Sequence, residues 1–470
     1  MIDNTIQFFK EIAKIPRESG NEEKIADYLC DFAQNRKLEY VRDEWNNVLI
    51  RKKNINRPAI ILQAHTDMVC EKIPEKDFNF KTDSIKIVEE NGYLRADGTT
   101  LGADNGIGVA QILNILDSDI PCNIEAILTT SEETSMIGAI NFDVTQLKGK
   151  QLLNLDGFEE NTIIVESACF YDIVLKSNYE FKKKIDKEKE QFYQIEIIGL
   201  PGGHSGFEID KNRGNSCIEI AKILKNIRNY KLSNLIGGTK FNVIPSSAFV
   251  QFSTNISFNA IQKTCNETEQ ELRAKYPDAE IKLKLLNNID EVIGEKESKE
   301  FIQAILEFPH GVLYKNEKNE VTTSINLGVV NLKENEIKVG MRSSRKKEEV
   351  TTLSIIKKYC KNKNFQINLL GSQPGFESDK DGSLINELIK TQPTKLFKEP
   401  VKLKAMHIAV EVGFFQEKIP GLQIAIISPN IQGAHTANEK VEISSIYKTN
   451  EWIYNFLKSY FSEHKKKSRT

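Results

Sequence analysis

The sequence is poor in the residues that would indicate a disulfide scaffold or a membrane protein. Its seven cysteines are odd in number, scattered and never in C-x-x-C spacing, which favours reduced thiols over disulfides or a zinc finger. No apolar run reaches the about 20 residues that a membrane-spanning helix needs. Residues 1–4 show no basic stretch leading into an apolar one, so we expect no signal peptide and a cytoplasmic protein.

The chain also lacks an excess of either charge. It has 64 lysines and arginines against 66 aspartates and glutamates, for a formal net charge of −2. Without a basic field, we expect no nucleic-acid partner and, without an apolar span, no membrane partner. A hydrophobic fraction of 40% is ordinary for a soluble globular protein. A length of 470 residues predicts two domains rather than a single core.

The apolar pattern predicts an α/β catalytic domain, with a mixed sheet flanked by helices, that an insertion interrupts. We assign residues 1–172 and 377–470 to this discontinuous domain. Its predicted strands and helices are helices within 5–35, neighbouring strands at 47–51 and 59–63, a helix at 107–116, strands at 124–129, 152–155 and 401–404, a helix at 405–414, a strand at 422–427 and a helix at 447–461.

Residues 173–376 have a different pattern and predict an inserted α+β domain, an antiparallel sheet with helices on one face. The predicted elements are strands at 194–198, 248–254, 281–285, 322–330 and 337–342, and helices after Asn215, near 261–276 and at 348–360. We interpret 182–191 as a charged hairpin and 371–382 as the linker back to the first domain.

His65 and Asp67 follow the apolar stretch 59–62, where a buried strand gives way to a loop. Ligands of open α/β sheets bind outside the carboxyl ends of strands. Residues i and i+2 of an extended chain point to the same side, so Asp67 can lie near His65 and orient its ring. An isolated pair of this kind would more often cap a turn, and the interpretation depends on the rest of the chain.

Carboxylates follow other predicted strands as well. Asp104 lies in a loop rich in glycine and aspartate; it would repel a phosphate and is better placed to meet a cation. Glu132 and Glu133 follow the strand at 124–129, and Asp156 follows the next strand. Adjacent carboxylates at a strand end repel each other unless a cation lies between them or one is protonated. This repeated delivery of oxygen and imidazole ligands to one sheet edge predicts a divalent metal site.

Several motifs occur in a fixed order along the chain. They are His65-Thr66-Asp67, residues 101–106, Ser131-Glu132-Glu133, Leu155-Asp156-Gly157, Gly433-Ala434-His435, and, in the insertion, residues 202–206, 242–245 and 323–328. Together these motifs resemble the two-zinc aminopeptidase/carboxypeptidase/aminoacylase family of metallopeptidases. Within it, the chain most resembles the aminoacyl-histidine dipeptidases, also called cytosol non-specific dipeptidases.

The resemblance implies a two-metal site, with zinc expected first and manganese or cobalt as alternatives. His65 and Asp156 would hold one ion, and Glu133 and His435 the other. Asp104 would bridge both ions, Asp67 would orient His65, and Glu132 would be the general base. The residues after His435 depart from the usual motif, with Ala437-Asn438-Glu439 in place of a Ser/Pro-Asp sequence, and this departure removes no ligand.

Elementary chemistry agrees with these roles. Two cations about 3.5–4 Å apart need a bridging carboxylate to offset their repulsion, and metal binding lowers the pKa of a bound water to about 7. A free carboxylate beside that water can take its proton and pass it to the leaving amine. One glutamate of the adjacent pair would then bind metal while the other stays uncoordinated, which requires a turn at residues 131–133. The resemblance assigns the first role to Glu133 and the second to Glu132.

The remaining candidates concern the substrate, which we expect to be a small peptide. His204 and Asn242 lie in the matched motifs of the insertion. The resemblance implies that His204 contacts the substrate or its oxyanion, and a histidine of a glycine-rich turn is the alternative. Arg342 could bind a substrate carboxylate bidentately, although a surface ion pair is an equal alternative. His407 and Glu411, at i and i+4 of a predicted helix, could line the substrate pocket, form a surface pair or be polar groups satisfied in the core.

The resemblance implies hydrolysis of dipeptides, including Xaa-His, and an inserted domain that acts as a lid and forms a homodimer. A tripeptidase or an N-acyl amino acid deacylase of the same family is an alternative, because the sequence does not define the substrate pocket. An inactive binding protein on a peptidase fold is a third, and it would predict loss of Glu132 or of a ligand.

Overall fold

The computed structural model describes residues 3–183 and 189–467, with the backbone alone for residues 463–467. The chain divides into two compact units. The first unit consists of Met1–Ser167, Phe376–Met406 and Val410–Thr470, and the second consists of Ala168–Gly375 with His407–Ala409. The second unit therefore interrupts the first along the sequence.

The elements of the first unit that precede the interruption are α1 (Thr5–Ile12), α2 (Glu23–Asn35), β1 (Glu39–Arg42), β2 (Val48–Lys53), β3 (Ile60–His65), β4 (Ile87–Glu90), β5 (Tyr93–Ala96), α3 (Ala103–Asp117), β6 (Asn123–Thr129), α4 (Ile137–Asn141), the 3₁₀ turn Val144–Gln146, β7 (Gln151–Asn154) and β8 (Thr162–Ser167).

The elements of the second unit are β9 (Cys169–Lys176), β10 (Gln191–Ile198), β11 (Gly203–His204), α5 (Ser205–Glu208), α6 (Ser216–Lys225), β12 (Tyr230–Gly237), β13 (Val243–Ile244), β14 (Ala248–Thr254), α7 (Phe258–Arg273), β15 (Glu280–Leu286), α8 (Glu295–Glu307), β16 (Gly311–Lys315), β17 (Val321–Asn331), β18 (Glu336–Ser343), α9 (Lys346–Asn362) and β19 (Gln366–Gln373).

The elements that complete the first unit are α10 (Ser383–Thr391), β20 (Lys402–Met406), α11 (Val412–Lys418), β21 (Gln423–Ile426), β22 (Ile431–Gln432), β23 (Lys440–Glu442) and α12 (Ile443–Lys467). In the part of the chain that the structure describes, no helix has the length and apolar character needed to cross a membrane.

The first unit is built on a mixed sheet with the strand order β1-β2-β6-β3-β7-β21-β8-β20. Strands β6, β3 and β7 are parallel, and β21 continues parallel to β7. The prediction that the strands near 47–51 and 59–63 are neighbours is wrong, because β6 lies between β2 and β3. Strand β2 pairs antiparallel with β6, and β3 pairs with the other side of β6 in parallel, so the sequence proximity of the two segments did not imply pairing.

Burial explains why the central elements form. Every residue of β3 is buried, as expected for a parallel strand with both faces covered. Helix α3 is likewise buried from Ala103 to Leu116, so it packs on all sides rather than along one stripe. A single cluster of buried apolar residues joins these elements to α1, α2, α10 and α12.

The second unit is an antiparallel sheet with helices. Its strand order is β15-β10-β14-β12-β17-β18-β9-β19, with β16 added to β17, and it has its own buried apolar cluster. Helix α6 begins where Asn215 caps it, with the Asn215 side chain accepting from the N–H of Cys217. The mixed α/β architecture with two units agrees with the predicted fold class.

Two local predictions are wrong. Residues 405–414 do not form a helix: β20 continues to Met406 in a parallel ladder with β8, and α11 begins only at Val412. The linker predicted at 371–382 begins too early, because β19 reaches Gln373 by pairing with β9 across a register shift beside Gly371. The hairpin predicted at 182–191 lies partly outside the described residues, since 184–188 are not described.

Candidate active site

Three parallel strands of the first unit end at the same sheet edge, which we call the carboxyl edge. His65 is the last residue of β3 and pairs with Thr129, the last residue of β6. Asp156 follows the end of β7, whose Asn154 pairs with Gln63 of β3. Parallel pairing in register thus brings side chains distant in sequence to one edge.

The carboxyl edge carries a cluster of imidazole and carboxylate groups. Asp104 stands at its centre: its Oδ1 lies 3.1 Å from Nε2 of His65, and its Oδ2 lies 3.1 Å from Nε2 of His435. Asp156 Oδ1 lies 3.7 Å from the same His65 nitrogen, and Glu133 Oε2 lies 2.9 Å from the His435 nitrogen. The two oxygens of one carboxylate therefore face the two histidines.

A turn brings Glu132 and Glu133 to this cluster. Ser131 has a φ of +57°, and Glu22 accepts from its N–H at 3.0 Å and its hydroxyl at 2.9 Å. The N–H groups of Glu132 and Glu133 donate to the two carboxylate oxygens of Asp67, at 3.0 and 3.2 Å. The turn expected from two adjacent glutamates in one site is therefore present.

Asp67 also contacts His65. Its Oδ1 lies 3.3 Å from Nδ1 of His65, and its Oδ2 accepts from the hydroxyl of Ser19 at 2.7 Å. Asp67 and His65 are both buried, so these hydrogen bonds fix the ring orientation and leave Nε2 directed at the cluster. Bonds of this kind lower the pKa of Asp67 despite its burial.

Burial, followed by crowded like charges, raises the pKa values of the carboxylates in the cluster. Burial raises the pKa of Glu132 well above its usual range, and the carboxylates of Asp156 and Glu133 add to this. Burial also raises the pKa of Asp156. Burial works in the opposite direction on His435, but its hydrogen bonds to Asp104 and Glu133 raise its pKa to about 11.

The residues present fit divalent cations. The described residues form three groups, and within each group the ligand atoms lie within 4.8 Å of one another. The groups are His65 with Glu132 and Glu133, His65 with Asp104 and Asp156, and Asp104 with Glu133 and His435. Oε1 of Glu133 is buried and has no hydrogen-bond partner among the described residues. Imidazole and carboxylate donors without thiolates suit zinc, manganese or cobalt. A cation would stabilise the charged form of these carboxylates, whose pKa values are raised by burial and by their mutual repulsion.

A second layer of polar side chains lies beneath the carboxyl edge. Glu411 is fully buried, and its Oε1 accepts from the side chains of Thr129, at 2.8 Å, and Gln63. The side-chain carbonyl of Gln63 accepts in turn from the side-chain N–H₂ group of Asn154. The side-chain carbonyl of Asn154 accepts from the main-chain N–H of Asp156 at 2.8 Å. Glu411 thus belongs to the layer that supports the strand ends, and it does not share a helix with His407.

The other four substrate candidates belong to the second unit, where they lie near one another. His204 lies in β11, which pairs with β13, and the main-chain carbonyl of Asn242 accepts from the N–H of Ser205 at 2.8 Å. Nη2 of Arg342 lies 3.4 Å from Nε2 of His204. Nε2 of His407 lies 2.8 Å from the hydroxyl of Ser324, while its Nδ1 is buried and has no hydrogen-bond partner among the described residues.

Arg342 is buried, with only 4% of its surface exposed. Its guanidinium carbon lies 4.2 Å from the ring centroid of Phe170. Burial lowers its pKa to about 10. Among the described residues, no carboxylate lies within ion-pair distance of its guanidinium, so the surface ion pair that was the alternative interpretation of this residue is wrong.

Sequence reasoning missed two buried charged residues that hold the ligand loops, Arg17 and Glu439. Arg17 donates to the carbonyls of Thr66 and Asp67, each at 3.0 Å, and of Gly102. Glu439 accepts from three N–H groups of the segment that ends in Asp104. Both act on main-chain atoms, so no spacing pattern reveals them; the only signal was the unusual Glu439 near His435.

The geometry of the site agrees with comparisons to known proteins. Residues 61–459 match the model of peptidase family M20/M25/M40, and the chain belongs to that family. It is 30% identical over 458 residues to the cytosol non-specific dipeptidase of Escherichia coli, covering 93% of each chain. The predicted resemblance to metallopeptidases of this dipeptidase group is thereby confirmed.

Solved structures show the same fold. The aminoacylhistidine dipeptidase from Vibrio alginolyticus aligns with a TM-score of 0.81 at 27% identity, covering 97% of this chain and 96% of that one. A tripeptidase from Staphylococcus aureus aligns with a TM-score of 0.52 at 15% identity, covering 97% of this chain and 98% of that one. The second likeness concerns the fold alone.

Proposed function

We propose that this protein is a metal-dependent dipeptidase that hydrolyses short peptides, including Xaa-His dipeptides. The observation that carries the proposal is the arrangement of Asp104, whose two carboxylate oxygens each lie 3.1 Å from a different histidine nitrogen. A carboxylate shared between two ligand sets is what two neighbouring cations require. The printed names of the Escherichia coli and Vibrio relatives support dipeptides as the substrate class.

In this proposal two divalent cations, with zinc expected first, occupy the cluster. His65 and Asp156 would hold one, Glu133 and His435 the other, and Asp104 both. When bound, the cations supply Lewis acidity toward the peptide carbonyl and a water whose pKa is lowered to about 7. Asp67 keeps the Nδ1 side of His65 occupied, which leaves the Nε2 lone pair for the metal.

Glu132 is the proposed general base. Its carboxylate accepts no hydrogen bond from the described residues, whereas its neighbour Glu133 contacts His435 at 2.9 Å. A free carboxylate oxygen of Glu132 would take the proton from the attacking water as the carbon–oxygen bond forms. It would then donate that proton to the peptide nitrogen as the carbon–nitrogen bond breaks.

The second unit is proposed to supply the substrate contacts. Arg342 is a buried guanidinium without a carboxylate partner among the described residues, which suits the terminal carboxylate of a peptide. His204 lies beside Arg342 and would contact the substrate carbonyl, while Asn242 and His407 would border the same site. We propose that this unit acts as a lid, and that Glu411 supports the carboxyl edge from below rather than touching substrate.

We also propose a homodimer formed through the second unit and a cytosolic location. Strand β19 is an outer strand of its sheet, carries no charged residue, and exposes 50% of Leu369 and 64% of Leu370. Uncharged exposed edge strands are templates for pairing with another chain. The cytosolic location is supported by the printed name of the Escherichia coli relative.

Glu132→Gln tests the catalytic proposal directly. This variant keeps size and shape but cannot accept the proton, so kcat should fall about 10²–10⁴-fold while metal content stays at two ions per chain. Substrates should include Ala-His and other dipeptides, with tripeptides and N-acyl amino acids as competing classes. Glu75→Gln, an exposed residue of the same unit, is the matched control.

Three results would contradict the proposal. Faster hydrolysis of tripeptides or N-acyl amino acids than of dipeptides would assign another substrate class. Loss of one ion in Glu132→Gln would exchange the roles of Glu132 and Glu133. Absence of any hydrolysis by the metal-loaded wild type would favour a binding protein.

A further inference from the structure

Glu439 joins two of the loops that carry ligand candidates. It lies four residues after His435 and is 2% exposed. Its Oε2 accepts from the N–H groups of Leu101 and Gly102, both at 2.8 Å, and its Oε1 accepts from the N–H of Asp104 at 3.1 Å. The loop of His435 and the segment that ends in Asp104 are therefore fixed to one carboxylate.

Arg17 joins the segment that ends in Asp104 to a third loop, which follows His65 and contains Thr66 and Asp67. It is 1% exposed, and its Nη1 donates to the carbonyls of Thr66 and Asp67, each at 3.0 Å. Its Nη2 donates to the carbonyl of Gly102 at 2.5 Å. Gly102 thus has its N–H bound by Glu439 and its carbonyl bound by Arg17.

Gly102 is suited to this close approach. Its φ is +68°, and a Cβ built there would lie 2.3 Å from Nη2 of Arg17 and 2.7 Å from Sδ of Met68. A side chain at this position would force Arg17 away and strain the backbone. The glycine that precedes the ligand loop is therefore part of the same arrangement.

We propose that Arg17 and Glu439 form a charged clamp on Gly102 that holds the Asp104 carboxylate between His65 and His435 for binding two cations. Both are positioning residues, since they bind main-chain atoms of the ligand loops. The inference rests on the proposed two-cation function and adds the residues that preset its shared ligand.

Physical chemistry favours a positioning role over a purely stabilising one. Burying two charges is costly, and an apolar pair of similar volume is often as stable. What an apolar pair cannot do is bind six backbone groups of two ligand loops in fixed directions. Groups that orient metal ligands typically alter metal affinity about 10–100-fold when they are replaced.

Cobalt binding tests the clamp independently of catalysis. The wild type and Glu439→Gln are stripped with a chelator and titrated with Co²⁺, and visible absorption reports affinity, stoichiometry and ligand geometry. Glutamine keeps the shape but places an N–H₂ group against backbone N–H donors. We expect Co²⁺ affinity about 10–100-fold weaker and an altered absorption band. Glu442→Gln, a half-buried glutamate nearby, should match the wild type.

Two further variants keep the test decisive if Glu439→Gln does not fold. Arg17→Lys keeps the charge but offers one nitrogen for three carbonyls, and Gly102→Ala disturbs the clamp from its centre. Both should weaken Co²⁺ binding in the same way at temperatures far below their melting transitions. Circular dichroism of the metal-free proteins establishes folding.

The outcomes separate the clamp from the proposed function. Folded clamp variants that lower only the melting temperature, with unchanged Co²⁺ affinity and absorption, would overturn the clamp and leave the metal centre intact. A wild type that binds no Co²⁺ would overturn the proposed two-cation function itself.

Discussion

At the scale of single residues, the candidate site is built from side chains that each have one task. Asp104 offers its two oxygens to two histidines, whereas Asp67 uses its two oxygens on His65, Ser19 and two backbone N–H groups. Both are buried aspartates, so chemistry alone does not separate their roles. Their partners do, because Asp67 is saturated with donors and Asp104 faces the remaining ligands.

Replacing the shared ligand should abolish the site. Asp104→Ala removes the carboxylate that both cations would use, so we expect loss of both ions and an activity decrease of more than about 100-fold. Inductively coupled plasma mass spectrometry of the purified variant measures the metal content. Retention of two ions per chain would show that the bridge is assigned to the wrong residue.

Replacing the orienting aspartate should have a smaller effect. Asp67→Asn places an N–H₂ group opposite a backbone N–H of the Glu132–Glu133 turn or opposite the Ser19 hydroxyl. We expect metal affinity and kcat each to fall about 10–100-fold, without complete loss of ions. Metal titration with steady-state kinetics measures both. A variant with normal affinity would remove Asp67 from the site, and Asp83→Asn, on the surface of the same unit, is its control.

At the scale of elements, the sequence predicted what short patterns determine and failed where long-range pairing decides. The apolar run before His65 is strand β3, and the strand predicted at 248–254 has the bounds of β14. The order of the strands was not predictable, since the insertion of β6 between β2 and β3 depends on connections through α3. The helix predicted at 405–414 failed because β20 is stabilised by pairing with β8, distant in the sequence.

The candidate site, like the fold, was predictable where short sequence patterns determine it and not where long-range contacts do. His65, Glu133 and Asp156 end or follow apolar strands, which is a local pattern, and the structure groups their ligand atoms with those of Asp104 and His435. The buried network of Gln63, Asn154 and Glu411 carries no such pattern, because one member is central in β3 and another lies far along the chain. Such contacts depend on strand register, which the sequence does not display.

The network beneath the carboxyl edge should contribute to stability. Gln63→Leu removes a donor to the buried Glu411 carboxylate and the acceptor for Asn154. We expect the free energy of unfolding to fall by about 1–3 kcal/mol, because buried polar groups lose their partners. Urea denaturation of the metal-free protein measures this. Gln151→Leu, a half-buried residue at the start of β7, should change stability by less than about 0.5 kcal/mol, and an equal loss in both variants would contradict the network.

At the scale of the whole molecule, the site concentrates charge that the rest of the protein does not. The chain has a net charge of −2 overall, yet four carboxylates of the first unit lie together at the carboxyl edge, namely Asp104, Glu132, Glu133 and Asp156. Such a cluster is unfavourable in an isolated protein and becomes favourable once cations are bound. We therefore infer that stability and metal binding are linked, and that the link depends on pH.

The direction of this dependence follows from the pKa shifts of the metal-free cluster. The pKa values of Glu132, Glu133 and Asp156 are raised, mainly by burial, and that of His435 is raised to about 11, against burial, by Asp104 and Glu133. A raised folded-state pKa gives stability that is complete below the unfolded pKa and is lost as pH rises through the folded value. Asp104, whose pKa is lowered by its histidine partners against burial, acts oppositely, but its contribution is complete above about pH 4.

The metal-free protein should therefore become less stable as pH rises from 5 to 8. This interval lies above the pKa of carboxylates in the unfolded chain, and above about pH 6.5 the loss of the stability contributed by His435 adds to the decrease. Cations require deprotonated ligands, so stabilisation by added Zn²⁺ should grow over the same interval. Differential scanning fluorimetry of chelated and Zn²⁺-loaded protein at each pH measures the difference in Tm, which should be several degrees larger at pH 8 than at pH 5. His435→Gln removes one of the titrating groups and should flatten the metal-free profile above pH 6.5. A difference in Tm that is constant or shrinks with pH would mean that the cluster does not bind cations in the deprotonated form on which the proposed mechanism depends.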